Sequence, residues 1–299
     1  MSKKILNKPL YKVNGKQIYY SNFLNALRKS GIRKGDTIFV HTSVSSFGKP
    51  YIFDDDSLLQ TLVEALKESV GPQGTIIMPA FSYSFWKKKP YDIKNTKSEV
   101  GVLTEYFRKR PDVSRTSHPN HSAAIWGKHK DYLLQIGKDT FNKDSIFGKL
   151  HHLRGKIVFF GAPFSSCTYI HYIEQMHKIP YRYMREYRGI IINKGKEYED
   201  EITVSYKYIT FFTLLFELEK HLLEKGLLKE VKLGKGKILA IETDAFFKEG
   251  MNLLDKDVYF FLRNEPKIFR IFNKASYFFL RNEPKIFKVL DNIVSRFFE

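Results

Sequence analysis

The chain has 299 residues, 43% of them hydrophobic, enough for a sizeable core within one α/β domain. Its 50 basic against 32 acidic side chains give a formal net charge of +18, which favours anionic partners such as nucleotides, CoA phosphates, nucleic acid or an anionic membrane face. The lone cysteine, Cys167, excludes an internal disulfide and fits a reducing compartment.

In chain order, Asp36–Thr42 reads as a buried strand entered through the turn Lys34-Gly35-Asp36. Ser57–Val70 follows as a helix, with Leu58, Leu62, Ala65, Leu66 and Val70 on one face and Ser57 as its expected N-cap. Gly71-Pro72-Gln73-Gly74 ends that helix and launches a second strand, Thr75–Met78. A helix near Val102–Lys109 stops at Pro111, and Ala123–Trp126 and Lys156–Phe160 are further strands. Strands separated by helices predict an α/β layered fold. Arg188–Asn193 and Glu201–Tyr206 flank a Lys194-Gly195-Lys196 turn and predict a hairpin. A helix over Thr210–Leu223 and a short strand at Ile238–Ile241 complete the pattern.

Two features bear on location. The segment starting Met1-Ser2-Lys3-Lys4 lacks the apolar run of a secretory signal, and the most apolar stretch, Tyr208–Phe216, is about half the length a helix needs to span a bilayer. A cytoplasmic protein is expected. Near the end, Tyr259–Phe269 (YFFLRNEPKIF) recurs verbatim at Tyr277–Phe287. Residues 257–299 thus read as an extension appended to a domain spanning 1–256. Two readings are open: a tandem duplication forming a pair of helices, or a basic aromatic element that makes peripheral contact with an anionic membrane.

The densest chemistry lies in Gly161–Glu174 (GAPFSSCTYIHYIE), which leaves a strand, turns through Gly161-Ala162-Pro163 and enters a helix near Ser166. His171 and Glu174 are i and i+3, so both project from one helical face. A carboxylate beside an imidazole fixes its tautomer and stabilises the imidazolium, the equipment of a general base. An exposed His–Glu pair is the plainer alternative. His171, Glu174 and His177 do not have the HExxH spacing, and no metal is expected. Cys167 reads as a small core filler. Arg115–Ser122 (RTSHPNHS) gathers a guanidinium, two imidazoles and hydroxyls that suit a phosphate or a pantetheine carbonyl, or else form a polar surface loop. His41-Thr42-Ser43 and Met78–Phe81 end two strands and would line one crevice if those strands are neighbours. Neither phosphate-loop fingerprint is present.

Lys34–Gly48 (KGDTIFVHTSVSSFG), Val70–Ser82 (VGPQGTIIMPAFS), Arg115–His129 (RTSHPNHSAAIWGKH), Asp144–Leu150 (DSIFGKL) and Gly161–Glu174, taken together and in this order, resemble the aminoglycoside 3-N-acetyltransferase family over roughly residues 30–190. The resemblance implies a three-layer α/β/α fold around a mixed central sheet, acetyl-CoA as donor, and direct transfer to an amine. It makes His171 the base and Glu174 its orienter, with Ser43, Arg115, Ser117, His118 and Ser122 holding the cofactor or its acetyl group. Two regions depart from the family pattern. Pro163-Phe164-Ser165 stands where resistance enzymes commonly carry Gly-His-Asp, and the last third has no placed counterpart.

Aminoglycosides are polycations, which a chain at +18 repels at long range. The expected acceptor is therefore an amino sugar linked to a nucleotide or lipid, as in surface-glycan biosynthesis, with antibiotic acetylation as the alternative. Two other classes compete: a hydrolase using Cys167 or a serine with His171, and a basic scaffold that binds nucleic acid or membrane. Against the scaffold, no nucleic-acid motif is present and the basic residues are scattered, so no nucleic-acid partner is expected.

Overall fold

A computed structural model describes residues 8–51, 55–208 and 215–262. In chain order the first elements are β1 (Tyr11–Val13), β2 (Lys16–Ile18), α1 (Tyr20–Lys29), β3 (Thr37–Thr42), β4 (Lys49–Pro50), α2 (Asp55–Val70) and β5 (Thr75–Pro79). Next come β6 (Tyr91–Asp92), α3 (Val102–Arg108), β7 (Ser114–Arg115), β8 (Ala123–Gly127), α4 (Lys130–Leu134), α5 (Ile146–His152) and β9 (Lys156–Phe160). The chain continues through α6 (Ile170–His177), β10 (Arg182–Asn193), β11 (Lys196–Lys207), α7 (Phe216–Glu224), β12 (Lys229–Leu233), β13 (Gly236–Glu242) and α8 (Thr243–Lys256).

Seven strands form the central sheet in the order β12-β13-β9-β3-β5-β8-β7. The β3 ladders to β5 and β9 are parallel, and the flanking ladders are antiparallel, so the sheet is mixed. Strand side chains alternate between faces, and the sequence supplies apolar residues to both. Ile38, Val40, Ile76, Met78, Val158 and Phe160 pack on one side against Phe23 and Leu27 of α1, Leu62 and Leu66 of α2 and Phe107 of α3. Phe39, Ile77, Ile157 and Phe159 pack on the other against Leu150 of α5, Ile173 of α6 and Phe246 of α8. Full burial of each such side chain contributes roughly 1.5–3 kcal/mol. The fold is three-layer α/β/α around a mixed sheet, as expected.

Several elements differ from the sequence reading. Helix α2 begins at Asp55, so Ser57 lies inside the helix and its carbonyl accepts from the Thr61 hydroxyl. The segment after Pro163 makes a short 3-10 turn at Phe164–Ser166, and α6 starts at Ile170. The hairpin is far longer than expected: β10 and β11 pair continuously from Arg182↔Lys207 to Asn193↔Lys196. Lys194 and Gly195 both have positive φ in the two-residue turn, which matches the right-handed twist of the strands. This ribbon lies in a sheet of its own with β6. The helix expected from Thr210 appears as α7 from Phe216, its first part falling outside the described residues. So do residues 263–299, which hold nearly all of the duplicated segment. Among the described residues no helix is long and apolar enough to cross a membrane.

Candidate active site

The carboxyl ends of parallel strands β3, β5 and β9 open at one edge of the sheet, where α/β folds place their ligands. From β9 the chain turns at Gly161 (φ 76°), where a Cβ would come within 2.3 Å of Ser46 Oγ and 2.5 Å of the Ser43 carbonyl. Glycine is therefore required for the loop after β3 to close against the loop after β9. That closure directs residues 162–169 into α6, whose first turns carry His171 and Glu174.

His171 Nδ1 lies 2.7 Å from Glu174 Oε2, so the i, i+3 pair forms as expected. Glu174 is fully buried, and the Tyr181 hydroxyl donates to its Oε1 at 2.9 Å. Arg182 completes the cluster from the first position of β10. Its Nη2 is 2.6 Å from His171 Nδ1, and its Nη1 donates to the Ser205 carbonyl at 2.7 Å. Its Nε is 2.8 Å from Glu174 Oε2 as an ion-pair contact rather than an aligned hydrogen bond. Burial alone would raise the Glu174 carboxyl, but Arg182 and the hydrogen bonds from His171 and Tyr181 outweigh it and hold the pKa down to about 2. Burial, with Arg182 beside it, pushes His171 down to about 4. The dyad at neutral pH is an ionised carboxylate and a neutral imidazole.

Two cavities meet at His171. One, of about 390 Å³, is lined by Trp86, His121, Phe141, His171, Arg182 and the Val204–Lys207 stretch of β11. The other, of about 240 Å³, is lined by Ser165, Ser166, Cys167, Thr168, His171, Arg182 and Lys207 among others. Phe141 packs edge-on to both His121 and His171, with ring centroids 5.4 and 5.3 Å away.

The other residues expected to bind the cofactor do not join this cluster. Arg115 spends its guanidinium internally: Nε donates to Ser122 Oγ at 3.0 Å, Nη2 to the Ala80 carbonyl at 2.5 Å, and Nη1 to the Thr96 carbonyl. Ser122 is fully buried and donates to the same Ala80 carbonyl at 2.6 Å. His118 accepts at Nδ1 from the His121 N–H at 3.0 Å, and its Nε2 is 3.0 Å from the Thr140 hydroxyl, which itself donates to the Thr203 carbonyl. Its proton therefore sits on Nε2. These three residues tie loops together, and most of their hydrogen-bonding capacity is spent inside the protein. Ser43 and Ser117 are half-buried, and neither lines the two cavities. Strands β3 and β5 are indeed neighbours, but His41 is packed between Phe39 and Phe159 instead of lining a crevice.

The sequence reading missed Arg182, Tyr181, Trp86 and Lys207, and it included His121 only as one of the two imidazoles of the Arg115–Ser122 segment. The run Tyr181-Arg182-Tyr183, a basic residue between two aromatic ones, carried a signal. Alternation of that kind on a strand puts Arg182 on one face and its aromatic neighbours on the other.

The model of the aminoglycoside 3-N-acetyltransferase family matches residues 39–255, a span that includes the whole of this cluster. The chain belongs to that family. An aminoglycoside N(3')-acetyltransferase-like protein derived from the SPbeta prophage of Bacillus subtilis (strain 168) is 31% identical over 215 residues, covering 64% of this chain and 75% of that protein. Aminoglycoside N(3)-acetyltransferase IV from Salmonella sp is 26% identical over 246 residues, covering 81% and 89%. Among solved structures, the apoenzyme of aminoglycoside acetyltransferase AAC(3)-IVa superposes with a TM-score of 0.69 at 24% identity over 83% of this chain and 92% of that one. AAC-IIIb, solved as a binary complex with CoASH, gives 0.68 at 22% identity over 83% and 98%. As a member of this family the protein is an N-acetyltransferase with acetyl-CoA as its donor. These relatives are named for aminoglycosides, so the nucleotide- or lipid-linked glycan precursor expected from net charge has no counterpart among them.

This acetyltransferase carries an acid liability built from the same burial. Burial lowers His41 to about 3, His118 to about 4 and His171 to about 4, and it holds His121 well below the ordinary value of 6.5. Below 6.5 the unfolded chain therefore binds protons that the folded chain refuses. Stability is complete above about pH 6.5 and falls as the pH drops toward 4, by up to ~1.4 kcal/mol per pH unit for each such histidine. Urea midpoints measured at pH 7.5 and 5 should differ strongly, and equal midpoints would contradict this account.

Proposed function

We propose that this acetyltransferase moves the acetyl group directly from acetyl-CoA to an amine of an aminoglycoside, with His171 as base and Glu174 as its orienter. The observation that carries the reading is that His171 forms part of the wall of both cavities, so donor and acceptor can reach one imidazole from two sides. Ser165, Ser166 and Thr168 give the smaller cavity hydroxyls suited to the amide and thioester end of the donor. The aromatic walls of the larger one, Trp86, Phe141 and Tyr206, suit a sugar ring. The acceptor nitrogen attacks the thioester carbonyl and a C–N bond forms. His171 takes the nitrogen's proton, the C–S bond breaks, and the proton passes to the departing CoA thiolate.

The acceptor class is supported by the relatives. AAC-VIa has been solved bound to sisomicin, and a histidine-to-alanine variant of AAC(3)-IVa in complex with a gentamicin. The distal half of the ribbon adds a groove of about 650 Å³ lined by Glu199, Asp200 and Glu201. Lys138 and Arg188 line it too and pair with Asp200 and Glu201, so of the three carboxylates only Glu199 is offered to a cationic acceptor outside these pairs. One observation favours a second reading, an amino sugar bearing an acidic substituent: Arg182 and Lys207 line the larger cavity, and no carboxylate does among the described residues. CoA release measured over a panel of aminoglycosides and acidic amino sugars decides between them. Turnover with neither group would defeat both.

A covalent acetyl-cysteine route is disfavoured because Cys167 is buried and burial pushes its thiol up to about 12, leaving it neutral. Cys167→Ala should keep turnover within about threefold of the native protein, since little volume is lost at a site beside the cavity. A stable acetyl adduct on Cys167 by intact mass, together with a dead variant, would reverse that assignment.

A further inference from the structure

Nδ1 of His171 has two neighbours with opposite requirements. Glu174 Oε2, at 2.7 Å, can only accept a hydrogen, and Arg182 Nη2, at 2.6 Å, can only donate one. A neutral imidazole has a single hydrogen. If Nδ1 carries it, Glu174 is served and Nε2 shows a lone pair to the cavities. If Nδ1 lacks it, Arg182 is served and Nε2 shows an N–H. The first state is a base, and the second is not.

Arg182 has little freedom to withdraw. Its side chain is 8% exposed, its Nη1 is held by the Ser205 carbonyl, and its backbone sits in the ladder opposite Lys207. We propose that Arg182 is a positioning residue for the transfer: a fixed cation that keeps Glu174 ionised and presses on the Nδ1 edge, so that His171 releases a proton as readily as it takes one. The inference rests on His171 being the base.

The groups facing His171 agree with this as a set. Its own helix supplies one carboxylate, Glu174. The ribbon supplies two cations, Arg182 and Lys207, and the loop before β8 supplies the uncharged His121. The turn before α6 supplies hydroxyls and the neutral Cys167 thiol. Two positive charges against one negative charge disfavour the imidazolium, which agrees with a neutral His171. Such an imidazole stays neutral throughout the neutral range, and it acts as a base from the state in which Nδ1–H serves Glu174. After accepting the amine's proton, it surrenders that proton to the thiolate without a resting imidazolium.

The test is ¹⁵N-histidine NMR from pH 4 to 8 on the full chain, with the His171 signals assigned by their loss in His171→Gln. The native His171 midpoint should lie below 6.5. Arg182→Gln should raise it by at least about one pH unit, because the nearer of the two cations is gone and the Glu174 carboxylate then outweighs Lys207. The acidic limb of kcat/KM should move up by the same amount, which a merely structural role would not produce. Arg182→Lys keeps the charge and should leave the midpoint low. A native midpoint above 6.5 overturns the proposal without any variant, and so does an unmoved midpoint in folded Arg182→Gln. If His171→Ala keeps turnover, the base reading fails instead, while the NMR titration still reports whether Arg182 governs the imidazole.

Discussion

His171→Ala should lower acetyl transfer by roughly 10²–10⁴-fold, the usual worth of a positioned general base, while acetyl-CoA still binds. The expectation follows from where the ring stands. Its Nδ1 edge is occupied by Glu174 and Arg182, and the ring is 26% exposed and forms part of both cavity walls. Removing the imidazole takes away the proton acceptor and leaves the hydroxyl-lined cavity in place. Calorimetry for acetyl-CoA and a CoA-release assay separate the two effects. Equal loss of binding and turnover would mean that His171 shapes the donor pocket and does no proton chemistry.

Glu174→Ala should cost stability on a scale seldom reached by one substitution, about 3–5 kcal/mol, because it strands a buried cation. Arg182 is 8% exposed and rests its Nε and Nη2 against Glu174 and His171. Without the carboxylate, the guanidinium keeps only the Ser205 carbonyl and an imidazole nitrogen, and the Tyr181 hydroxyl loses its acceptor. Chemical denaturation of Glu174→Ala, of Arg182→Met and of the double variant tests this. The double variant should recover part of the loss, since the stranded charge is gone. Strict additivity would show that the two side chains contribute independently.

The His171–Glu174 pair could be read from the chain because an i, i+3 spacing is local and a helix brings it together with no help from the rest of the fold. Strand β9 was legible for a similar reason, since Lys156–Phe160 is a short apolar run between a glycine on each side. Arg182 was not legible as a partner of that pair. It arrives on the first residue of β10, and only the ladder to β11 and the packing of the ribbon bring it to α6. Arg115, His118 and Ser122 show the opposite difficulty. Their residue types suit phosphate binding, but their hydrogen-bond partners are mostly backbone carbonyls, a backbone amide and each other, with the distant Thr140 hydroxyl for His118, and such partners leave no mark in a sequence. Strand β12 went unseen because Lys229–Leu233 is an edge strand with one buried residue, so it lacks the apolar signal of an inner strand. Helix α1 was legible but not read: Tyr20, Phe23, Ala26 and Leu27 recur at helical spacing and form its buried stripe, with polar residues on the other face.

The β10–β11 ribbon belongs to a separate sheet from the seven strands that carry α6. Heritable change can therefore fall on the two parts separately. Substitutions along residues 183–206, with Arg182 and Lys207 kept, would alter which amine is admitted, while the layered scaffold and the His171–Glu174–Arg182 cluster continue unaltered. A family built this way can diversify its acceptors by editing one ribbon, and a laboratory chimera that exchanges only that ribbon should inherit the acceptor preference of its donor.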